Sequence, residues 1–337
     1  MIDPLLRPST GDAGASAGSP ICILLCVDAA YLKQAGITLG SILASNPDAS
    51  IDAYIAGPGL DPDRFDTIFK PLVAGHPSCR VHRCDLDEGD LPDLPVSAHI
   101  SRSTYTRILL NRFIGAEHRR VLYLDADTIV CADLTPLWTT SLDGAVLAAA
   151  RDHFRLDLPA IGFDPDEPYF NAGMLLIDMQ RWRALDCERR LLDFLGREIE
   201  RLPWMDQDAL NLVLRGQIRF VGLEWNFQPR CADVPATFLN LDDRDYEALR
   251  SSPALIHYTT SYKPWNAGFR VHYSDRFFAA ARRAGLPLDP ARPRTPRDRL
   301  LQIKTWMRWH FPRAFRFLRQ VLRPDAAALM YRAGPGQ

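Results

Sequence analysis

Short apolar runs alternate with helical segments along the first half of the chain, and this alternation constrains the fold more than any other feature. The runs at 21–27, 50–55 and 79–83 have the length of strands, and residues 62–73 between the last two have a helical pattern. Strands that alternate with helices form a mostly parallel sheet with helices on its faces. We therefore predict an α/β fold with a doubly wound, Rossmann-like sheet.

The same alternation continues through the second half of the chain. We predict a helix over 105–113, a single long helix over 180–201 and a further helix over 207–214. Further apolar segments of strand length lie at 121–124, 145–150, 174–177, 218–221 and 255–258. The whole pattern predicts three parts, which are a flexible leader over 1–20, a main domain over 21–286, and a linker with a helical tail over 287–337.

Composition excludes several classes of protein. The 337 residues carry a formal net charge of −1, which gives no reason to expect a nucleic-acid partner. Residues 1–20 lack the basic start and apolar centre of a signal peptide, and no apolar run reaches the roughly 18 residues of a membrane span. The seven cysteines are scattered without a Cys-x-x-Cys pair, which favours a reduced cytosolic compartment.

Two carboxylates follow the apolar run 121–124. Asp125 and Asp127 stand where a buried strand would reach the edge of an open α/β sheet. Such an edge can hold a hard divalent cation against a phosphate, so the pair is a candidate metal site. The alternative is that each aspartate forms a turn or caps a helix.

Polar residues also cluster in three later segments. Phe170-Asn-Ala-Gly173 places an amide and two small residues before an apolar run, and a turn is the alternative there. Trp204-Met-Asp-Gln-Asp208 groups acids at a predicted helix start, where they could instead cap the helix. His257 ends an apolar run and Lys263 follows six positions later, although a single histidine is more often packed or exposed than a ligand.

Five pieces of sequence stand in a specific order along residues 21–270. They are Cys26-Val-Asp-Ala-Ala-Tyr31, Ser103-Thr-Tyr-Thr-Arg107, Leu124-Asp-Ala-Asp127, Phe170-Asn-Ala-Gly173 with Asp206-Gln-Asp208, and His257 with Lys263-Pro-Trp265. In this order they resemble glycosyltransferase family 8, the retaining nucleotide-sugar transferases that include bacterial lipooligosaccharide and lipopolysaccharide galactosyl- and glucosyltransferases. The resemblance implies a GT-A fold, with residues 21–286 as the catalytic domain.

The resemblance also implies a cation site and a donor pocket. Asp125, Asp127 and His257 would bind Mn²⁺, with Mg²⁺ as the alternative, and the cation would bridge the diphosphate of a UDP-sugar. Two carboxylates and an imidazole suit Mn²⁺ better than they suit Mg²⁺ or Ca²⁺, which prefer sites made of oxygen ligands alone. The other donor-binding residues that the family implies are Asp28 and Tyr31 at the base, Ala126 at the ribose, His99 and Ile100 in the pocket, and Arg107 and Lys263 at the donor and its diphosphate.

The sugar end of the site is implied in the same way. The family places four residues there, which are Asp152, Asn171, Asp206 and Gln207. Gln207 would lie beside the anomeric carbon, but a neutral amide is a poor nucleophile compared with the carboxylate of a retaining glycosidase. We therefore favour attack on the face that the leaving group vacates, with a UDP phosphate taking the acceptor proton.

Two departures from the family pattern bear on nucleotide recognition. Ala29 and Ala30 follow Asp28 where the family often has a second acid and an amide. Thr260 stands where a glycine is common, and a glycine would let the backbone approach the phosphate closely.

The tail over 297–323 contains seven arginines and one lysine against the single acid Asp298, with tryptophan, phenylalanine and leucine between them. This composition is typical of an amphipathic segment on an anionic membrane face, although a solvated basic helix is the alternative. We expect a cytoplasmic enzyme, peripheral on the inner membrane, that transfers glucose or galactose from UDP-glucose or UDP-galactose to a glycan or glycolipid such as lipopolysaccharide. The alternatives are a noncatalytic nucleotide-sugar-binding scaffold and an Asp-x-Asp phosphatase.

Overall fold

The structure is a computed structural model. It describes residues 19–87, 102–155, 157–164, 166–259, 263–266 and 271–289, together with residues 295, 296, 299, 300 and 303. The leader, His99, Ile100, Thr260 and nearly all of the basic tail lie outside the described residues.

The described residues form a seven-stranded sheet and a separate two-stranded sheet. The nine strands are β1 (Ile21–Cys26), β2 (Ile51–Pro58), β3 (Cys79–Leu86), β4 (Arg120–Leu124), β5 (Thr128–Val130), β6 (Leu147–Arg151), β7 (Phe170–Asp178), β8 (Ile218–Val221) and β9 (Leu255–His257). The large sheet has the order β3-β2-β1-β4-β7-β6-β8, and the small sheet pairs β5 with β9. Strands β1 to β4 are parallel, β8 is parallel to β6, and β7 is antiparallel to both of its neighbours. The predicted mostly parallel α/β sheet is confirmed.

Nine α-helices accompany these strands in the described part of the chain. They are α1 (Leu32–Ser45), α2 (Pro62–Ala74), α3 (Leu110–Phe113), α4 (Thr135–Trp138), α5 (Met179–Ala184), α6 (Cys187–Glu198), α7 (Met205–Val213), α8 (Asp243–Ser251) and α9 (Ser274–Arg283). Short 3-10 helices lie at Ala29–Tyr31, Arg102–Ile108, Leu158–Ile161, Ile199–Arg201, Leu223–Asn226, Pro229–Asp233 and Ala236–Leu239.

Three sequence predictions are corrected by the structure. Residues 105–113 are not one helix, because a 3-10 helix ends at Ile108 before the single turn of α3. The predicted helix over 180–201 is interrupted at Asp186, whose φ of 49° lies in the left-handed region and cannot continue an α-helix. The turn alternative for Phe170–Gly173 is wrong, because these residues already belong to β7.

The core explains where the site lies. Strands β1 and β4 are almost entirely buried, as are the residues of α1 that pack on them. Strands β2 and β3 are added on one side of β1, and the chain then returns to add β4 on the other side. The direction in which strands are added therefore reverses between β1 and β4, and open α/β sheets bind ligands at such a point. Because β7 is antiparallel to β4, its first residues lie at the same edge as the carboxyl end of β4, with Leu124 opposite Met174.

The seven cysteines, all of them described, form no disulfide.

Candidate functional site

The structure brings Asp125, Asp127 and His257 together at this edge. Nε2 of His257 lies 3.4 Å from Oδ2 of Asp125 and 3.1 Å from Oδ1 of Asp127. A carboxylate oxygen of each aspartate and a ring nitrogen of His257 all lie within 4.8 Å of one another. Within the described part of the chain, no other group of three His, Cys, Asp or Glu residues meets this geometry.

The small sheet is what joins the two ends of this cluster. Thr128 of β5 pairs with His257 of β9, and the backbone N–H of Tyr258 donates to the carbonyl of Asp127 over 3.0 Å. The hydroxyl of Thr38 on α1 lies 2.9 Å from the carbonyl oxygens of Ala126 and Thr128. The Asp-Ala-Asp segment is therefore fixed between α1 and β9, which places both carboxylates against the imidazole.

Ala126 and Asp127 lie in a turn after β4, but neither aspartate side chain caps that turn or a helix. Among the described residues, no backbone N–H donates to the side chain of Asp125 or Asp127; Asp125 accepts from the hydroxyl of Tyr123, and Asp127 accepts from the ammonium group of Lys263. Lys263 also donates to the carbonyl of Tyr258 over 2.7 Å. The alternative role of these two side chains, in which each one stabilises a turn or caps a helix, is therefore not supported.

His257 packs directly against the backbone of β7. A Cβ atom added to Gly173 would lie 2.0 Å from Cε1 of His257 and 2.3 Å from its Nδ1, so the ring occupies the space that any other side chain would need. The carbonyl of Gly173 also accepts from the N–H of Asp125 over 2.9 Å. The glycine in the Phe170-Asn-Ala-Gly173 segment is therefore required by close approach of the imidazole, and this contact links the segment to the cation cluster.

The charges of the cluster shift one another's pKa values. Burial disfavours the imidazolium, but the carboxylates of Asp127 and Asp125 outweigh burial and raise the pKa of His257 to about 9. Burial also disfavours ionisation of Asp127, but Lys263 and His257 hold the pKa of this carboxyl well below its usual range. Arg107 and His257 likewise overcome burial and lower the pKa of Asp125. Both carboxylates are therefore ionised at neutral pH.

These residues fit a divalent cation. Oδ1 of Asp127 is buried and faces Nε2 of His257 at 3.1 Å, and Oδ2 of Asp125 faces the same nitrogen at 3.4 Å, so two ionised carboxylates converge on one imidazole. Two carboxylates and an imidazole are suitable ligands for Mn²⁺ and leave further coordination positions for phosphate oxygens. Asp125, Asp127 and His257 would hold the ion.

Arg107 lies between the cation cluster and the sugar end. Its guanidinium is 3.2 Å from Oδ1 of Asp125 and 2.8 Å from Oδ2 of Asp206, and it donates to the carbonyl of Ala172 over 3.0 Å. Asp206 is buried, and burial, only partly offset by Arg107, raises its pKa to about 6. Arg107 therefore bridges two carboxylates from separate parts of the chain, at the end of β4 and the start of α7.

The predicted sugar-end residues form a hydrogen-bonded group. Oε1 of Gln207 accepts from Nδ2 of Asn171 over 3.1 Å and from the N–H of Ala172 over 3.0 Å. Nε2 of Gln207 donates to the hydroxyl of Tyr169, also over 3.1 Å. Asp152 lies beside this group, with Oδ2 at 3.5 Å from Nδ2 of Asn171. The structure thus brings Asp152, Asn171 and Gln207 together.

The predicted base-binding residues lie at the end of β1. Oδ1 of Asp28 accepts from the N–H groups of Ala30 and Tyr31, and so caps the 3-10 helix that these residues begin. The ring of Tyr31 meets that of Trp265 edge to face, with centroids 6.1 Å apart. The backbone of Ala29 and Ala30 therefore serves to build the helix on which Tyr31 is presented.

Two neighbouring residues were missed by the sequence analysis. Asn226 is 2% exposed and its Oδ1 lies 2.9 Å from Nδ1 of His257. Arg230 lies 3.3 Å from Oδ1 of Asp152, with its guanidinium carbon 3.9 Å from the ring centre of Phe154. Both lie in the stretch 223–233, which the sequence alone does not separate from an ordinary loop.

Comparison with known proteins agrees with this geometry. The sequence model of Glycosyl transferase family 8 matches residues 22–268. The chain is 28% identical to the lipopolysaccharide 1,2-glucosyltransferase of Escherichia coli, over 81% of this chain and 79% of that protein. It is 24% identical to the lipopolysaccharide 1,3-galactosyltransferase of Salmonella typhimurium, over 75% of each.

Among solved structures, the galactosyltransferase LgtC in complex with donor and acceptor sugar analogs is similar. It has a TM-score of 0.68 and 27% identity, and the match covers 83% of this chain and all of that one. The GT-A fold that the sequence predicted is thereby confirmed. The match to glycosyltransferases supports neither the phosphatase nor the noncatalytic alternative.

Proposed function

The chain belongs to glycosyl transferase family 8, and on this premise we propose that it is a retaining hexosyltransferase that moves glucose or galactose from a UDP-sugar to a hydroxyl of lipopolysaccharide or a related glycan. The convergence of Asp125, Asp127 and His257 beside the amides of Asn171 and Gln207 is the observation that carries the proposal. The names of the relatives support it, since both the glucosyltransferase and the galactosyltransferase act on lipopolysaccharide.

A divalent cation, preferably Mn²⁺, belongs to this proposal. When bound, the ion would stabilise the negative charge that develops on the departing diphosphate. Lys263 is 8% exposed and its ammonium group contacts Asp127, so it is placed to donate to a phosphate oxygen as well. The ionised state of Asp125 and Asp127 supports the preference for a dication over a neutral ligand.

Two contacts support attack on the same face as the leaving group. The carboxylate of Asp206 is buried and faces Arg107, and the amide oxygen of Gln207 already accepts two hydrogen bonds. Neither group is therefore a free nucleophile on the opposite face, as double displacement would need. In our proposal Gln207 orients the sugar and steadies positive charge at the anomeric carbon, while a donor phosphate oxygen takes the acceptor proton.

The activity is tested by UDP release from UDP-glucose and UDP-galactose with Mn²⁺, with Mg²⁺ and with a chelator. We expect one donor to be hydrolysed or transferred faster, loss of release with the chelator, and recovery with Mn²⁺. NMR of the product gives the anomeric configuration, which should be that of the donor. Release that is indifferent to the chelator, or an inverted product, would contradict the proposal.

The mechanism is tested separately with Gln207→Ala. Same-face attack predicts a slow enzyme without any covalent adduct after incubation with donor. Intact-mass spectrometry that showed a hexose attached to Asp206 would instead support double displacement.

We also propose that the enzyme is peripheral on an anionic membrane through the basic tail over 297–323. The support is the composition of the tail; Leu300 and Ile303, two of its apolar residues, are 52% and 54% exposed. None of the described helices has both the length and the apolar character needed to cross a bilayer. The full chain should float with phosphatidylglycerol liposomes and not with neutral ones, and a chain truncated after Leu300 should float with neither. Unchanged flotation of the truncated chain would refute a role for the tail.

A further inference from the structure

Asn226 is a buried amide that lies between the cation cluster and the sugar end. It ends the 3-10 helix Leu223–Asn226, and the next residue, Phe227, is tied to β9 by two backbone hydrogen bonds, from its N–H to Leu255 and from the N–H of His257 to its carbonyl, each 2.9 Å long. These bonds fix the backbone beside His257. The backbone of Asn226 is therefore fixed on one side by the 3-10 helix and on the other by the pairing of Phe227 with β9.

The hydrogen bonds of Asn226 determine which way its amide faces. The N–H of Gly173 can only donate, so the Asn171 side-chain atom 3.0 Å from it is an oxygen. That oxygen and the carbonyl of Asn171 lie 3.0 Å and 3.3 Å from one side-chain atom of Asn226, which must be the Nδ2 amino group. Oδ1 of Asn226 consequently faces His257.

This orientation in turn selects the state of the imidazole. Oδ1 of Asn226 can only accept, so Nδ1 of His257, 2.9 Å away, carries a proton and donates to it. In the neutral ring the lone pair is then on Nε2, the nitrogen that faces Asp125 and Asp127. A metal ligand of this type needs a partner on its other nitrogen that fixes both tautomer and ring orientation.

We infer that Asn226 is a positioning residue with two separate roles: its oxygen orients His257 toward the cation, and its amino group holds Asn171 against Gln207. The chain of contacts is continuous, because Asn171 uses its oxygen for Asn226 and its amino group for Gln207. The first role concerns only the cation. The second rests on the proposed transfer of a sugar at Gln207.

Two substitutions separate these roles. Asn226→Asp keeps an oxygen for Nδ1 of His257 but replaces the amino group with an oxygen that faces the two oxygens of Asn171. Asn226→Leu has a similar size and removes both contacts. Asn46 provides a matched control, because it is also a buried amide, 4% exposed. It accepts from the N–H of Leu134 and donates to the carbonyl of Ile42, and neither partner belongs to the site.

The first measurement is Mn²⁺ affinity of the full chain without donor, by calorimetry or by the EPR signal of free Mn²⁺. Loss of an outer partner of a histidine ligand weakens metal binding about 10- to 100-fold. We expect Mn²⁺ affinity to fall by that factor in Asn226→Leu and to change by less than about threefold in Asn226→Asp. Asn46→Leu should keep the wild-type affinity. All variants are measured at a temperature where thermal denaturation shows each of them to be folded. Equal Mn²⁺ affinity in wild type and Asn226→Leu, or equal weakening in Asn226→Leu and Asn46→Leu, would overturn the first role.

The second measurement is kcat at saturating Mn²⁺. We expect Asn226→Asp to lose about tenfold or more in kcat although its Mn²⁺ affinity is kept, since Gln207 loses the support of Asn171. A kcat of Asn226→Asp equal to that of the wild type would overturn the second role. If wild type binds Mn²⁺ but transfers no sugar, the proposed function fails and the second role with it, while the affinity series still decides the first role. If wild type transfers sugar without binding Mn²⁺, the first role is overturned and transfer stands.

Discussion

The cation end and the sugar end of the site are built in different ways. Asp125, Asp127 and His257 contribute charge to the first, where both carboxylates face the same imidazole nitrogen, at 3.4 Å and 3.1 Å. At the second, the amides of Asn171 and Gln207 already have partners on both their oxygen and their nitrogen. The first end is therefore a cluster of charges, and the second is organised before any ligand arrives.

This difference indicates that the first end supplies the free energy of cation binding and that the second end positions the reacting groups. A cluster in which two carboxylates share one imidazole nitrogen gains strongly from a cation, because the ion adds positive charge between them. A complete network of neutral groups gains little from ligand binding but fixes geometry, and geometry is what a reaction between two sugars requires. Substitutions at the first end should therefore change metal affinity, and those at the second should change turnover.

The largest effect is expected from Asp127→Ala. Removing this carboxylate deletes a proposed cation ligand and the carboxylate partner of Lys263, so we expect Mn²⁺ binding to be lost and kcat/KM to fall by about three orders of magnitude or more. Calorimetry and UDP release check the two parts. Asp48→Ala, at an exposed acid, is the control and should match the wild type. Near-normal turnover of Asp127→Ala would mean that the cation end does not serve catalysis.

Gly173→Ala tests whether close packing, rather than charge alone, holds the cation end. The added methyl would lie 2.0 Å from Cε1 of His257, so the ring must leave its present position beside the two aspartates. We expect Mn²⁺ affinity to fall about 10- to 100-fold, as for other losses of ligand orientation. Gly196 on α6 is the matched control, because a methyl there meets no atom within 4 Å. Gly196→Ala should leave Mn²⁺ affinity unchanged and stabilise the helix by up to about 1 kcal/mol. Unchanged affinity in Gly173→Ala would show that His257 is not held by this contact.

The sequence predicted the strand ends better than the connections between them. The apolar runs that became β1 and β4 are local signals, and Asp125 and Asp127 follow the second directly, so the edge of the sheet and its acids could be placed from pattern alone. The helix over 180–201 could not be divided correctly, because the break depends on the left-handed backbone of Asp186, and aspartate is common inside helices as well.

Contacts between distant segments were predictable only in part. The resemblance to a family brought His257 to the aspartates, although 130 positions separate it from Asp127. Asn226 had no such signal, because its role depends on how Phe227 pairs with β9 and on the orientation of one amide. Arg107 was expected at the donor, but its pairing with Asp206 as well as Asp125 depends on where α7 begins relative to β4.

Asp206→Asn examines the boundary between the two ends through stability. Because burial raises the pKa of Asp206 to about 6, the folded protein keeps this proton at pH values where the unfolded chain has released it. The contribution of Asp206 to the free energy of unfolding should therefore fall as pH rises from about 4 to about 6. The interval between the ordinary value of 3.8 and about 6 corresponds to about 3 kcal/mol.

Asparagine removes the charge, so Asp206→Asn should be more stable than the wild type by about 3 kcal/mol at pH 7, and the difference should nearly vanish at pH 4. Denaturation with urea at both pH values checks this, and Asp193→Asn on the exposed face of α6 should show no such pH dependence. A loss of stability at pH 7 would mean that Arg107 more than compensates for the burial of Asp206, which would make this residue part of the charged end.

The smallest effect is expected from Tyr169→Phe, which removes one hydroxyl from the sugar end. This hydroxyl accepts from Nε2 of Gln207 and from Arg155, and donates to Asp208 over 2.6 Å. Its loss leaves the buried Arg155 and Asp208 and the half-buried Gln207 each short of a partner, so we expect about 1 to 2 kcal/mol of lost stability and a fall in kcat of about tenfold or less.

Mn²⁺ affinity should not change in Tyr169→Phe, because the hydroxyl is linked to the cation cluster only indirectly among the described residues. Both routes start at Gln207 and continue through Asn171 and Asn226 or through Ala172 and Arg107. Tyr246→Phe is the matched control, since its hydroxyl bonds only to the carbonyls of Cys231 and Val234 among the described residues. It should lose a similar free energy of unfolding without any fall in kcat. If Tyr169→Phe weakened Mn²⁺ binding as much as it lowered kcat, the two ends would respond as one unit, and the separation between a charged end that binds and a neutral end that positions would have to be abandoned.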